Sequence, residues 1–426
     1  MVTKESAQEM SYWGIPALYA TVATLAGSTI PLLENRILPG FVSPMSVSSA
    51  TAIYSAVASG MLALTGIVFS LVFVMVQFSA TAYSPRLVAW IARDPVIRHS
   101  LGVFTATFLY GVSALAGVDR SGSGHVPFLS VFVEFFLLLA SVGMFIALVN
   151  RIGMLQINRM LAFTGDQGRK VISTIYPPLS SPAALADEPD DYASLLPTQT
   201  VIHYGGPLSV QAVDVAGLVE LARASDGIIQ AVGAVGDTVV ELTPLLHVYA
   251  AREPIPERKL RGGIELGKQR TFEQDPKYAI RLLVDIAIKA LSPAINDPTT
   301  AVQALDQIED LLLRLGQRCL EIGRYRDIDG KLRLVIPFPT WDDLLLLAFD
   351  EICFCGATSV QVMRRMNALV ANLSQALPKE RRAALELWDA RLKSIITRSF
   401  ADSEERLAAS KEDRQGLGAP RQQLPG

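Results

Sequence analysis

Residues 50–80 read ATAIYSAVASGMLALTGIVFSLVFVMVQFSA, a run without Asp, Glu, Lys, Arg or His. A bilayer's hydrocarbon core, about 30 Å thick, is crossed by about 20 helical residues. At about 1.5 Å per residue this run reaches about 45 Å, so as a helix it tilts or projects beyond the membrane. Three more apolar stretches lie around it, at Trp13 to Leu33, Ser100 to Val118 and Pro127 to Val149. A soluble protein could bury one such helix. Four in close succession, with almost no charge inside them, predict a transmembrane α-helical domain of four helices over residues 13–150.

The chain has 426 residues, half of them apolar, with a net charge of −3 and a pI near 5.9. Such a length accommodates two or three domains. The near-neutral balance gives no reason to expect nucleic acid as a partner. Residues 1–12 carry acidic side chains as well as Lys4 and read as a cytoplasmic N-terminus. The apolar stretch after them contains Pro16 and Gly27 and lacks a small-residue cleavage site, so it reads as a retained span and not a signal peptide. Lys4, Arg86, Arg93, Arg98, Arg151, Arg159, Arg169 and Lys170 fall on one side of the four spans, against Arg36 and Arg120 on the other. Lys and Arg collect on the cytoplasmic side of membrane proteins, so both termini are expected there, with Tyr12, Trp13, Tyr83 and Trp90 anchoring the same interface.

Along the second span, Ser55, Ser59, Leu62, Gly66, Ser70, Phe73 and Gln77 follow one another at steps of four and three and therefore share one helical face. Small residues and hydroxyls in such a row suit a helix-packing seam. They also suit the lining of a pore in a homo-oligomer, where Leu62 and Phe73 would form rings that gate by dewetting. Arg86 would then place positive charge at the inner mouth. Glu134 is the ionisable residue well inside a span. An intramembrane carboxylate is costly unless neutralised or wet, which makes it a candidate ion or proton site. Lying two turns below Pro127, it alternatively reaches the outer interface or pairs with Arg120.

Beyond the spans, residues 151–198 read as a helical extension, from Met160 to about Tyr176, and a linker that Pro177-Pro178 opens. A small β-rich module is expected over residues 199–252. It comprises strands around Thr200 to Tyr204 and Leu208 to Ala212, a helix capped by Asp214 and ending near Ala224, and a hairpin of Ile228 to Val235 and Thr238 to Tyr249 about Gly236-Asp237. Gly236-Asp237-Thr238-Val239 with Pro244-Leu245 resembles the half-motif of biotinyl and lipoyl domains. Those domains have a second glycine where this chain has Leu242, and no lysine sits at a plausible hairpin tip. Residues 253–400 read as a cytoplasmic helical domain with a β-hairpin, Cys319 to Tyr325 and Leu332 to Phe338, followed by amphipathic helices at Asp342 to Val370 and Lys379 to Phe400. Residues 401–426 are polar, lack a stripe and are expected to be disordered. The fold class is thus a membrane α-helical domain with four transmembrane helices plus a cytoplasmic α+β domain.

Asp275-Pro276 and Asp297-Pro298 each place an N-cap before a proline at the first helical position, and Ser292-Pro293 punctuates the two helices. On the first helix Ile280, Leu283, Val284, Ala287, Ile288 and Leu291 form an apolar stripe, while Arg281, Asp285 and Lys289 stand at steps of four on another face. The charged row is an ion-pair ladder, or part of a cytoplasmic joint for a ligand or second subunit to which Asn296, Asp297, Thr299 and Thr300 add hydrogen-bonding groups.

The second-span exit Gln77-Phe78-Ser79-Ala80-Thr81-Ala82-Tyr83-Ser84-Pro85-Arg86-Leu87, the Gly236-Asp237 hairpin and the segment Ala290-Leu291-Ser292-Pro293-Ala294-Ile295-Asn296-Asp297-Pro298-Thr299-Thr300-Ala301 together resemble a bacterial family of predicted membrane proteins, domain of unknown function 2254. The resemblance covers nearly the whole chain except the polar tail. It implies this architecture and a bacterial inner-membrane location, and no reaction.

An enzyme needs a convergent set of nucleophile, acid–base groups or metal ligands. His99, His125, His203 and His247 share no metal-ligand spacing, and neither a phosphate-binding glycine loop nor Gly-x-Ser-x-Gly is present. A membrane-bound enzyme therefore ranks third, and no metal or cofactor is expected. Cys319, Cys353 and Cys355 read as buried thiols in a reducing compartment. The leading expectation is a homo-oligomeric channel or transport protein, with the lipid bilayer, further copies of itself and a small ion as partners. The alternative is a membrane-anchored scaffold or sensor whose cytoplasmic domain binds a partner.

Overall fold

The computed structural model describes residues 4–37, 43–82, 95–119, 126–152, 157–179 and 191–417. The chain divides into two compact units, Met1–Gln156 and Ile157–Gly426.

Among the described residues the first unit has four long helices, α1 (Lys4–Ile37), α2 (Val47–Ala82), α3 (Pro95–Leu115) and α4 (Phe128–Ile152). Helix α1 begins at Lys4, so residues 4–12, expected as a separate terminus, continue into the first long helix. Helices α1, α2 and α4 all pack against α3. The approach of α1 is close enough that a Cβ on Gly27 would lie 2.8 Å from the carbonyl oxygen of Tyr110, so glycine is required there. Segments Gly14–Glu34, Val47–Val74 and Phe128–Arg151 are long and apolar enough to cross a membrane. Helix α3 is less apolar, with Arg98, His99 and Ser100 in its first turns. Its central place accounts for this: Phe104, Tyr110 and Ala114 are enclosed by protein, and a helix that meets other helices can carry small and polar residues that a lipid-facing one cannot.

The second unit opens with α5 (Ile157–Ile175) and continues through β1 (Gln199–Ile202), β2 (Leu208–Val213), α6 (Val215–Ala224), β3 (Ile228–Ala231), β4 (Thr238–Val239), β5 (Pro244–Tyr249), α7 (Glu257–Gly262) and β6 (Ile264–Gly267). Then follow α8 (Pro276–Ala290), α9 (Pro298–Gly316), β7 (Arg324–Arg326), β8 (Leu332–Val335), α10 (Trp341–Gly356), α11 (Val360–Ala376), α12 (Lys379–Ser399) and α13 (Ser403–Ala409). The strands form two sheets, ordered β1-β5-β3-β8-β7 and β4-β2-β6.

The pairing differs from the sequence expectation in two ways. Strand β3 is antiparallel to β5, with Ile229 opposite Val248 and Ala231 opposite Leu246, and parallel to β8, with Ile229 opposite Leu334. The β7–β8 hairpin, assigned from sequence to a separate helical domain, thus completes the sheet of the β-rich module, because these apolar side chains close one core. Gly236-Asp237 is also not the tip of a simple hairpin. Strand β4 leaves its neighbours in sequence and pairs with β2, while Gly236 N–H donates to the Val210 carbonyl at 2.8 Å and Val210 N–H to the Asp237 carbonyl at 3.0 Å. Gly236 occupies φ +93, which a side chain would strain, and Leu242 sits at φ +66, a position that favours glycine.

Helix α8 forms the middle of the helical half, packed by α5, α9 and α10. The one-sided stripe expected there is in fact burial nearly all round: Ala279, Leu282 and Ile286 are as enclosed as Ile280, Leu283 and Val284, whereas Ile288 and Leu291 are half-buried. The long helix expected over Asp342 to Val370 breaks after Gly356, and Ser359 accepts the Val362 N–H to start α11. The tail is ordered as far as residue 417. Asp402 caps α13 by accepting from the N–H groups of Glu404 and Glu405, at 2.8 and 3.0 Å, and Asn367 donates to the Ala409 carbonyl at 3.1 Å. Capping and side-chain bonds to backbone carbonyls supply there the order that an absent apolar stripe could not. Residues 418–426 lie outside the described residues.

Candidate functional site

Helix α4 is polar within and apolar without. Ser130, Glu134, Ser141 and Leu148 turn inward, at helical spacing, while Phe132, Phe135, Phe136 and Leu139 are exposed. The inward hydroxyls are paired with α3: Tyr110 Oη lies 3.0 Å from Ser130 Oγ, and Thr107 Oγ1 lies 2.9 Å from Ser141 Oγ. At the head of α4 the carboxylate of Glu34, from α1, accepts the N–H of Phe128 at 2.7 Å and of Leu129 at 3.0 Å. A negative group there satisfies two of the N–H groups that a helix start leaves open and meets the positive end of the helix dipole.

Glu134, two turns further in, is 1% exposed. Neither of its carboxylate oxygens has a hydrogen-bond partner among the described residues. Gly111 of α3 makes the space it needs, because a Cβ there would stand 2.7 Å from Oε1. Arg120, the partner considered from sequence, lies outside the described residues. The carboxylate that serves the end of α4 is Glu34, which sequence reading passed over.

The seven residues of the α2 row are exposed, with Leu62 at 59% and Phe73 at 58%, and Ser55, Ser59, Gly66, Ser70 and Gln77 in the same class. The buried face consists of Ala50, Tyr54, Ala58, Met61 and Val68. At about 100° per residue the two sets centre roughly 130° apart. A Cβ added at Gly66 would have nothing within 4 Å. A packing seam inside one chain is therefore not what the small residues form: among the described residues, no helix of the same chain covers this face. Arg86, expected at the inner mouth, lies outside the described residues.

In the second unit the expected joint resolves into three places. At the start of α8, Asp275 accepts from the Tyr278 N–H at 3.1 Å and from Arg270 Nε at 2.6 Å, while Lys277 meets Asp237 at 3.2 Å. The Gly236-Asp237 turn and the Asp275-Pro276-Lys277 helix start, separate signals in the sequence, thus come together. In mid-helix Arg281 bridges Asp285, at 2.7 Å from its Oδ1, and Glu351 of α10, whose two oxygens it holds with both terminal nitrogens. The row is therefore a clamp between two helices. At the far end, about 22 Å along the helix axis from Asp275 at 1.5 Å per residue, Asp297 accepts the Thr300 N–H at 3.1 Å and Asn296 N–H donates to the Ser292 carbonyl at 2.8 Å. Asn296 adopts φ +49, which asparagine tolerates better than most residues. Asn296 and Thr299 are exposed. Asp275, Arg281 and Asp285 do not share one site with Asn296, Asp297, Thr299 and Thr300.

Other charged contacts hold this unit together. Buried Arg333 reaches Asp226 at 2.9 Å and Asp327 at 2.7 Å, and its guanidinium holds both carboxyls below the usual carboxylate range. Buried Arg365 joins Asp306 at 2.9 Å and Glu309. Cys319 and Cys353 are buried as expected, and burial pushes the Cys353 thiol up to about 12, but Cys355 is exposed. No three His, Cys, Asp or Glu side chains are gathered to hold a metal among the described residues.

Sequence reading missed Glu34, Thr107, Tyr110, Ser130 and Ser141. The row Ser130, Glu134, Leu137 and Ser141 has the same steps of four and three that singled out α2, so the same test applied to the fourth span finds it.

Residues 9–372 match the family described as "Predicted membrane protein (DUF2254)". The chain is also similar to uncharacterized proteins of Mycobacterium bovis and Mycobacterium tuberculosis, each 26% identical over 410 residues, which is 92% of this chain and 78% of the relative. No solved structure matches.

Proposed function

The chain belongs to the DUF2254 family of predicted membrane proteins, and from that premise we propose that it is a multi-pass protein of a bacterial inner membrane whose copies assemble about α2 to pass a small ion. In this reading α1, α2, α3 and α4 all span the bilayer, the sheltered α3 tolerating its polar residues, and both termini with the second unit lie in the cytoplasm. The Lys and Arg asymmetry between loops supports that orientation.

The observation that carries the proposal is the exposed α2 face. Lipid tails offer Ser55, Ser59 and Ser70 no hydrogen bond, whereas a neighbouring copy or a column of water does. Leu62 and Phe73, on the same face, would then form the narrowest and driest rings of the path. Current across planar bilayers containing the purified chain, read together with its oligomeric mass in detergent, tests both parts.

A second reading rests on a different surface. Leu346, Phe354 and Leu387 of α10 and α12 are exposed, Phe354 at 86%, beside Asp350 and Arg391. Apolar side chains in such a setting fit a protein contact. A monomeric protein without current would make this face, in a membrane-anchored scaffold, the working part of the molecule.

A further inference from the structure

Helices α10 and α12 lie side by side and run the same way. Arg381 lies over the Trp341 ring, 5.6 Å from its centre, the Phe349 and Trp388 rings meet at 5.3 Å, and Asp350 pairs with Arg391, so the contacts climb both helices in step. Their outer side is apolar as well as charged. Leu346, Phe354 and Leu387 are exposed, and a groove of about 560 Å³ runs between the ends of the two helices beside Phe354 and Arg398. We infer that this face is the contact for a second copy of the chain, related to the first by a two-fold axis parallel to α10 and α12.

The division of charge chooses the occupant. Helix α10 carries Asp342, Asp343, Asp350 and Glu351 and no Lys or Arg, whereas the outer side of α12 presents Leu387, Arg391 and Arg398 at helical spacing. With one half acidic and the other basic, the face complements its own copy turned half a circle about an axis along the helices. An axis across the helices would instead set α10 against α10, acid upon acid. Because the two helices are parallel and in step, the favoured turn keeps each residue at its height. Leu346 then meets Leu387 of the second copy, and Asp350 meets Arg391 of the second copy. Within one chain the Asp350–Arg391 pair is half-exposed, a setting in which a lone ion pair contributes little. Between two copies each of these charges has an opposite neighbour on both sides, which makes a network of the pair. An unrelated protein would have to supply the same two-sided pattern, whereas a second copy supplies it by symmetry. The contact lies wholly in the second unit and uses no residue of α2, so it goes beyond the pore reading and stands or falls apart from it.

The test uses the full chain, made in one cell as two forms with tags of different mass, both carrying Cys355→Ser. One form has Leu346→Cys and the other Leu387→Cys, so a covalent product bearing both tags can arise only between copies. Isolated membranes are treated with a bis-maleimide of short spacer. The two-tag product is expected about tenfold above that obtained when both forms carry Ile328→Cys instead, an exposed position on the β7–β8 turn that reports chance collision. Asp350→Arg in both forms should lower the yield about tenfold, and so should Arg391→Asp in both, because each sets like charges face to face. Asp350→Arg in the Leu346→Cys form together with Arg391→Asp in the Leu387→Cys form should restore it. A yield no higher than the collision control, as when another protein covers the face, would overturn the assignment. So would a yield indifferent to these charge changes, or a larger one when both forms carry Leu346→Cys, which requires α10 against α10.

Discussion

Asp297 holds the start of α9 through the Thr300 N–H, and nothing else in the described joint takes over that bond. Asp297→Ala should therefore lower stability by about 1 kcal/mol and Asp297→Ser should restore most of it. Thermal unfolding of the three proteins decides, and an Ala variant as stable as the parent would remove the capping role. Arg333 lends itself to a pH test. Asp226 and Asp327, held below the ordinary carboxylate range by its guanidinium, contribute stability above their unfolded value of about 3.9 and lose it as pH falls through the lower folded values. Arg333→Met should thus be less stable than the parent at neutral pH, with the gap closing as pH drops below about 3.9. A gap that widens in acid would reverse the assignment. The caps were legible in sequence because Asp-Pro is a local signal. The Arg333 clamp was not, since Asp226 and Arg333 meet only through the parallel pairing of β3 with β8. Nor was the solitude of Glu134, which depends on the space left by Gly111 on another helix.

At the level of elements, the long helices could be read from hydropathy, because an uninterrupted apolar run has few other uses. What each helix touches could not. The row on α2 has the spacing of a packing seam, and only the arrangement of α3 against the opposite side leaves that row outside. Helix α8 carries apolar residues on more than one face, and the surrounding α5, α9 and α10 use all of them. Most strands were found nearly in place, but β6 was not foreseen and the strand expected over Thr238 to Tyr249 is divided between β4 and β5 in different sheets; the pairing, set by contacts far apart in sequence such as Ile229 with Leu334, was not legible. For α2 the reading makes a direct demand. Cysteines introduced at positions 59, 66, 70 and 77, in a background lacking exposed Cys355, should react with small water-soluble thiol reagents in the lipid-embedded assembly. Protection at all four positions would place the row against lipid or a dry subunit contact.

At the scale of the whole molecule, membership of a family of predicted membrane proteins and three helices able to span a bilayer fix the setting, and in the proposed assembly the exposed polar row would be the contact between copies. Three helices arranged about α3 leave no channel among the described residues of one chain, since α3 fills the middle with Phe104, Tyr110 and Ala114. In the proposed reading a path for ions would therefore run between copies, along α2. Leu62→Ser or Phe73→Ser should wet such a path at its narrowest rings, while in a dry contact the same changes only weaken assembly. The decisive measurement is current across planar bilayers carrying the assembled parent chain and these two variants. Conductance from the parent, raised in both Ser variants, is the result expected. Silence from all three, with oligomeric mass intact in detergent, would contradict the pore.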